Sequence, residues 1–168
     1  EILLHSTFVV AHQNLNSGLV ELGVGLIPGW GGTKVMFLRS KGNKTTLLQN
    51  LNNILLQNKS SSADYFALDC SVKTAINMNK NLILEQAFQE KFQISSSNNS
   101  QVDLPEISLI DEIEHSSFDK LQIDVMNFFQ KIIDKKSVTE GELLDLEKEK
   151  FLQLASTPLS LERISKFV

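Results

Sequence analysis

VELGVGLIPGWGGTKVMFLR, residues 20–39, decides how the rest of the chain is read. Gly23, Gly25, Gly29, Gly31 and Gly32 lie within it, out of eight glycines in the whole chain. Val20, Leu22, Val24 and Leu26 alternate with Glu21 and glycine, a period of two that predicts an extended segment. PGWGG belongs neither inside a helix nor in a central strand. Thr33 then reads as the N-cap of a helix opening with KVMFLRS, which resumes in KTTLLQNLNNILLQN after an interruption near Gly42. Glycine after Glu21 lets the backbone turn sharply and approach a carboxylate without a Cβ in the way. The helix start beyond it offers free N–H groups that favour negative charge. On this ground the Gly29 amide is expected to hold the Glu21 carboxylate or its water.

Upstream, EILLHS has helical spacing, TFVVAH is a short buried strand and NLNSG a turn. His5, among apolar residues, reads as a hydrogen-bonded core histidine. Downstream, SSSADYFALDC is a helix capped by Ser62, and SVKTAI is extended. NMNKNLILEQAFQEKFQI is a helix with Leu84, Phe88 and Phe92 on one face. SSSNNSQVDLPE is polar and low in complexity, a linker. Phe118, Leu121, Val125, Phe128 and Ile132 recur at steps of three and four, the strongest amphipathic helix in the chain. TEGELLDLEKEKFLQLAS follows as a second, with Leu144, Phe151 and Leu154 inward. Ser160 is read as the cap of a last helix, LERISKFV. The division is a mixed core over 1–94, a linker over 95–117 and a helical tail over 118–168.

Bulk properties bound the function. The chain has 168 residues, 42% of them hydrophobic and 21% charged, an ordinary composition for one core-forming domain with a tail. A net charge of −4 without basic runs excludes a nucleic-acid footprint. No apolar run is long enough to span a membrane, and no signal-peptide pattern opens the chain. A single cysteine, Cys70, suits a reducing compartment, hence a cytoplasmic location. The chain opens on EILLHSTFVV, without methionine and in the middle of an apolar pattern, so a preceding segment is expected to have been removed.

The glycine stretch resembles the second signature of the crotonase superfamily, the enoyl-CoA hydratases and isomerases. There an acidic residue precedes a short run, then IPGxGGT, then a helix with a basic residue. EILLHSTFVVAH is similar to the family segment that follows its GGGC sequence. SSSADYFALDC resembles the family's next helix, although Asp69 and Cys70 stand where AG is common. ELLDLEKEKFLQLASTPLSLERISKFV resembles the C-terminus of bacterial fatty-acid oxidation proteins in which a 3-hydroxyacyl-CoA dehydrogenase part precedes an enoyl-CoA hydratase part. The resemblance runs along nearly the whole chain and is weakest between Gln93 and His115.

This resemblance implies an α/β fold, the C-terminal portion of a crotonase-like βα spiral followed by a mainly helical tail. It implies hydration of trans-2-enoyl-CoA to 3-hydroxyacyl-CoA, with Glu21 and Glu1 as the catalytic pair and Pro28, Gly29 and Trp30 at the substrate. Water addition needs a base to activate water and an acid to protonate Cα, and two carboxylates facing one water can share these jobs. Crowding like charges in a partly dry pocket raises one pKa. Isomerases of the family work with one acid/base at the Glu21 position, so the presence of both carboxylates favours hydratase. The family's two oxyanion donors, from an upstream strand end and from the GGG before Glu1, are not in this chain. Losing one such donor costs roughly 10²–10³ in rate, so the chain alone is expected to be inactive. It would need a missing N-terminal half or another subunit, or else be a non-catalytic remnant of a split gene.

Other motifs carry little. His5, His12 and His115 lack metal-ligand spacing, so no metal site is expected. No cofactor is expected in this chain; NAD would belong to the dehydrogenase part of such a protein, and CoA enters as substrate thioester. Gly23 and Gly25 hint at a dinucleotide fingerprint, but Pro28 argues against it, and GWGGTK around Lys34 is not a Walker sequence. DEIEH, residues 111–115, reads as a solvated acidic face.

Overall fold

The computed structural model describes residues 1–70, 72–90 and 101–166. The expected stripe residue Phe92 and the linker residues 95–100 lie outside them, as does the side chain of Cys70. The chain begins with a 3-10 turn, Ile2–His5, and a strand β1, Val9–His12. A second 3-10 turn, Glu21–Val24, leads to helices α1, Gly32–Ser40, α2, Lys44–Leu55, and α3, Ala63–Cys70. Strand β2, Thr74–Asn77, a 3-10 turn over Lys80–Leu82 and helix α4, Ile83–Gln89, follow. The rest comprises β3, Gln101–Asp103, α5, Leu109–Glu112, α6, Lys120–Ile133, β4, Ser137–Thr139, α7, Glu140–Ala155, and α8, Pro158–Ser165. β1 pairs parallel with β2, Val9 opposite Thr74. β3 pairs antiparallel with β4, Val102 opposite Val138. The fold is mixed helix and strand, with helix dominant. Among the described residues no helix is long and apolar enough to cross a membrane.

The core lies where α1 and α2 meet α6 and α7. Phe37 of α1 and Phe129 of α6 are both fully buried, their rings edge to face at 6.0 Å. Each such ring contributes about 1.5–3 kcal/mol through burial, and the edge-to-face contact adds roughly 0.5–1.5 kcal/mol. Leu47, Leu51, Ile54 and Leu55 form the buried face of α2 at helical spacing. α6 and α7 each begin with a complete capping box, Asp119 with Gln122 and Thr139 with Glu142, which satisfies otherwise orphaned amides.

Several sequence expectations need correction. The alternation over 20–26 does not make an extended segment: Gly23 N–H bonds Val20 O and Gly25 N–H bonds Leu22 O, closing a 3-10 turn. Glycine supplies the freedom for a left-handed exit at Gly25, with φ +87°. α1 is capped at Gly31, not Thr33, whose hydroxyl instead donates to Pro28 O at 3.1 Å. α8 is capped by Thr157, because Pro158 takes its first position, and Ser160 lies buried inside the helix. Leu121, Val125 and Ile132 of α6 and Leu154 of α7 are buried as expected, but Phe129 is fully buried where Phe128 is only half-buried, and Leu143 rather than Leu144 is buried. Leu84 and Phe88 of α4 are exposed, so their stripe is not core. The expected linker is structured from Gln101 onward and buries Val102, Leu104, Leu109 and Ile113. His5 is exposed rather than in the core, although it is hydrogen-bonded as expected.

Candidate active site

The glycine turn delivers the chain into the N-terminus of α1, where backbone N–H groups have no helical partner. Two carboxylates from distant elements take them. Glu1 Oε1 accepts from Trp30 N–H and from Gly32 N–H, both at 2.9 Å. Glu147, on α7, accepts from Gly31 N–H through Oε1 at 2.6 Å and from Lys34 N–H through Oε2 at 2.9 Å. Four amides at the positive end of a helix thus hold two negative groups, a favourable pairing. Gly32 is required here: a Cβ would stand 2.6 Å from Glu1 Oε1. Lys34 turns its ammonium to Glu140 Oε1 at 2.8 Å, so it serves α7 rather than a phosphate.

Glu21 lies on the adjacent 3-10 turn. Its Oε2 is buried and has no hydrogen-bond partner among the described residues. Burial pushes the Glu21 carboxyl above the usual carboxylate range, its own backbone hydrogen bond opposes this, and the charges of Glu1 and Glu147 add to the rise. Burial likewise raises Glu147, against the pull of the Lys34 and Gly31 amides, with Glu1 again adding. Glu1 therefore acts on both Glu21 and Glu147, and these two hold their protons more tightly than in water.

Of the expected site residues, Glu1 lies near enough to Glu21 for its charge to raise the Glu21 carboxyl. Pro28 is buried beside the turn, Gly29 sits against the ring of Phe151 on α7, and Trp30 projects into solvent, 83% exposed. The expected bond from the Gly29 amide to Glu21 is not formed; the amides of residues 30, 31, 32 and 34 act instead, on Glu1 and Glu147. Sequence reasoning missed Glu147. The available signal was the stripe Leu143, Glu147, Lys150, Leu154, whose spacing puts two charges on the inward face of α7. Lys150 is paired there with Asp124 at 2.7 Å. Among the described residues no three His, Cys, Asp or Glu side chains are grouped so as to hold a metal ion.

A putative fatty acid oxidation complex trifunctional enzyme of Rickettsia prowazekii is 50% identical over 173 residues, taking in 100% of this chain and 24% of its own length. The protein of the same name in Rickettsia felis aligns to the same extent, also 50% identical. A putative uncharacterized protein of Rickettsia conorii is 37% identical over 110 residues, which cover 62% of this chain and 96% of that protein. The chain belongs to the same family as this Rickettsia conorii protein. It spans about a quarter of the length of the Rickettsia prowazekii and Rickettsia felis relatives. No family model matches the chain, and no solved structure does.

Proposed function

We propose that the chain is the enoyl-CoA hydratase part of a multifunctional fatty-acid β-oxidation enzyme, with Glu21 and Glu1 as its acid/base pair. One observation carries this reading: Glu21 presents a buried carboxyl oxygen with no hydrogen-bond partner among the described residues, within electrostatic reach of a second carboxylate, Glu1, that two amides hold in place. The name of the Rickettsia prowazekii relative supports the pathway, and the IPGWGGT resemblance supports the reaction.

The chemistry follows from these environments. Glu1 accepts a proton from water as the water oxygen bonds Cβ of the unsaturated thioester. The electron pair of the alkene moves toward Cα and the carbonyl. Glu21, whose burial favours the protonated form, gives its proton to Cα. The product carries the elements of water, and one proton passes from Glu1 back to Glu21 to restore the pair. The thioester oxygen would be stabilised by donors from the preceding part of the parent protein. The single cysteine fits a reducing compartment such as the cytoplasm.

The decisive experiment mixes this chain with the portion of the Rickettsia prowazekii relative that precedes the matching segment. Hydration of crotonyl-CoA is followed through loss of the conjugated thioester absorbance. Activity in the mixture is expected, reduced by roughly 10²–10⁴-fold in Glu21→Gln. A mixture that forms a complex and yet hydrates nothing would instead favour a non-catalytic remnant. The short Rickettsia conorii relative, 96% of which aligns with this chain, keeps that second reading in play, because this part of the sequence also occurs in a much shorter protein. Shift of the double bond without water addition would indicate an isomerase using Glu21 alone.

A further inference from the structure

Glu147 is a carboxylate in the middle of a helix, 1% exposed, far along the chain from the glycine turn. Burying such a group is costly unless both oxygens are satisfied, and here both are satisfied by backbone amides. The pattern of those bonds is specific. The Gly31 N–H belongs to the peptide plane joining Trp30 to Gly31. The planes on either side carry the Trp30 and Gly32 N–H groups that converge on Glu1 Oε1. The carbonyl of that same central plane, Trp30 O, meets His5 Nε2 at 2.9 Å. One peptide plane is therefore gripped at its N–H by Glu147 and at its carbonyl by His5. Gly31 follows it at φ +84°, with no side chain to resist rotation.

We propose that Glu147 is a positioning residue for Glu1: by fixing the Trp30–Gly31 peptide plane, it aims the two flanking amides that orient the Glu1 carboxylate. The catalytic consequence rests on the hydratase reading above; the orientation of the amides does not. α7 is thereby part of the catalytic scaffold, and its inward carboxylate has a task beyond holding α7 against α1.

Two measurements test this. In the complemented enzyme, Glu147→Gln keeps the shape but removes the charge and one of the two acceptor oxygens, which weakens the grip on the Gly31 N–H whichever way the amide lies. It is expected to lower kcat at least about tenfold with KM within about twofold. Glu1→Gln combined with Glu147→Gln is expected to be no slower than Glu1→Gln alone, because a residue acting through Glu1 has nothing left to position. Losses that multiply, or an unchanged kcat, overturn the proposal. In the labelled 168-residue chain, Glu147→Gln is expected to speed hydrogen exchange of the Trp30 and Gly32 amides at least about tenfold, with the Val125 and Phe129 amides of α6 unaffected. Unchanged exchange at Trp30 and Gly32 overturns it whatever the activity. Loosened amides in a chain whose wild type shows no hydration would sink the hydratase reading and leave the positioning intact. Should Glu147→Gln fail to fold, Glu147→Asp replaces it in both measurements, keeping the charge and shortening the reach.

Discussion

Ser160 Oγ, on α8, donates to the carbonyl of Gly25 at 2.8 Å, across 135 positions of sequence. From the same helix, Arg163 Nη1 donates to Leu22 O at 3.0 Å, so α8 holds both ends of the turn that carries Glu21. Replacing Ser160 by alanine leaves the Gly25 carbonyl buried without this donor. The expected loss is about 1–3 kcal/mol of folding free energy, read as a lower urea midpoint at unchanged slope.

Gly25 itself has φ +87°, and a Cβ there would stand 2.5 Å from Ser160 Oγ and 3.0 Å from Ser160 Cα. Gly25→Ala combines backbone strain with a collision against a helix, for a destabilisation of roughly 2–4 kcal/mol. Gly141, in the first turn of α7, has nothing within 4 Å of the same added atom. Gly141→Ala is therefore expected to stabilise the chain by up to about 1 kcal/mol. Thermal unfolding of the two variants should move in opposite directions.

Glu21 and Glu147 both bind protons more tightly in the folded chain than a glutamate does in an unfolded one, near 4.5. A raised acid binds more protons folded than unfolded, so stability falls as pH rises from about 4.5 through the folded pKa values. Glu106, Glu114, Glu142 and Glu162 are shifted the other way by their hydrogen-bond partners, and their contribution is lost as pH falls below the same value. Urea unfolding across pH 5 to 8 should show the first slope, reduced in Glu21→Gln. A slope unchanged by that substitution would mean that Glu21 ionises as freely in the folded chain as in water.

Trp30 is the chain's one tryptophan and is 83% exposed beside the Glu1 amides. Its emission should be that of a solvated indole, readily quenched by acrylamide. In the complemented enzyme, crotonyl-CoA should shift that emission and protect it from quencher. Quenching that ignores a saturating thioester would remove Trp30 from the substrate-binding residues.

Much of the fold was legible because it depends on local signals. β1 and the amphipathic stripe of α6 each rest on residues close together in sequence. The turn at Glu21 was not, because alternation of apolar residues looks alike in a strand and in a glycine-rich 3-10 turn. What separates them is whether another strand lies alongside, and here α8 does. Glu147 was hidden for a related reason. A glutamate in a helix rich in Lys and Glu reads as solvent-facing, and only the amides of α1, brought there by the tertiary fold, make an inward position tolerable. Glu1 and Glu21 became legible through the resemblance, not through their spacing.

The long separations between these partners have a consequence during synthesis. Glu147 lies 116 positions beyond Gly31, and Arg163 lies 141 beyond Leu22. At ribosomal speeds of about 5–20 residues per second, the turn around Glu21 and the head of α1 would wait several seconds after emerging before α7 and α8 arrive to hold them. A nascent chain that halts before Glu140 carries both candidate acid/base residues and neither of the helices that fix them. Translation stalled there would yield a polypeptide with the right letters and an unassembled centre.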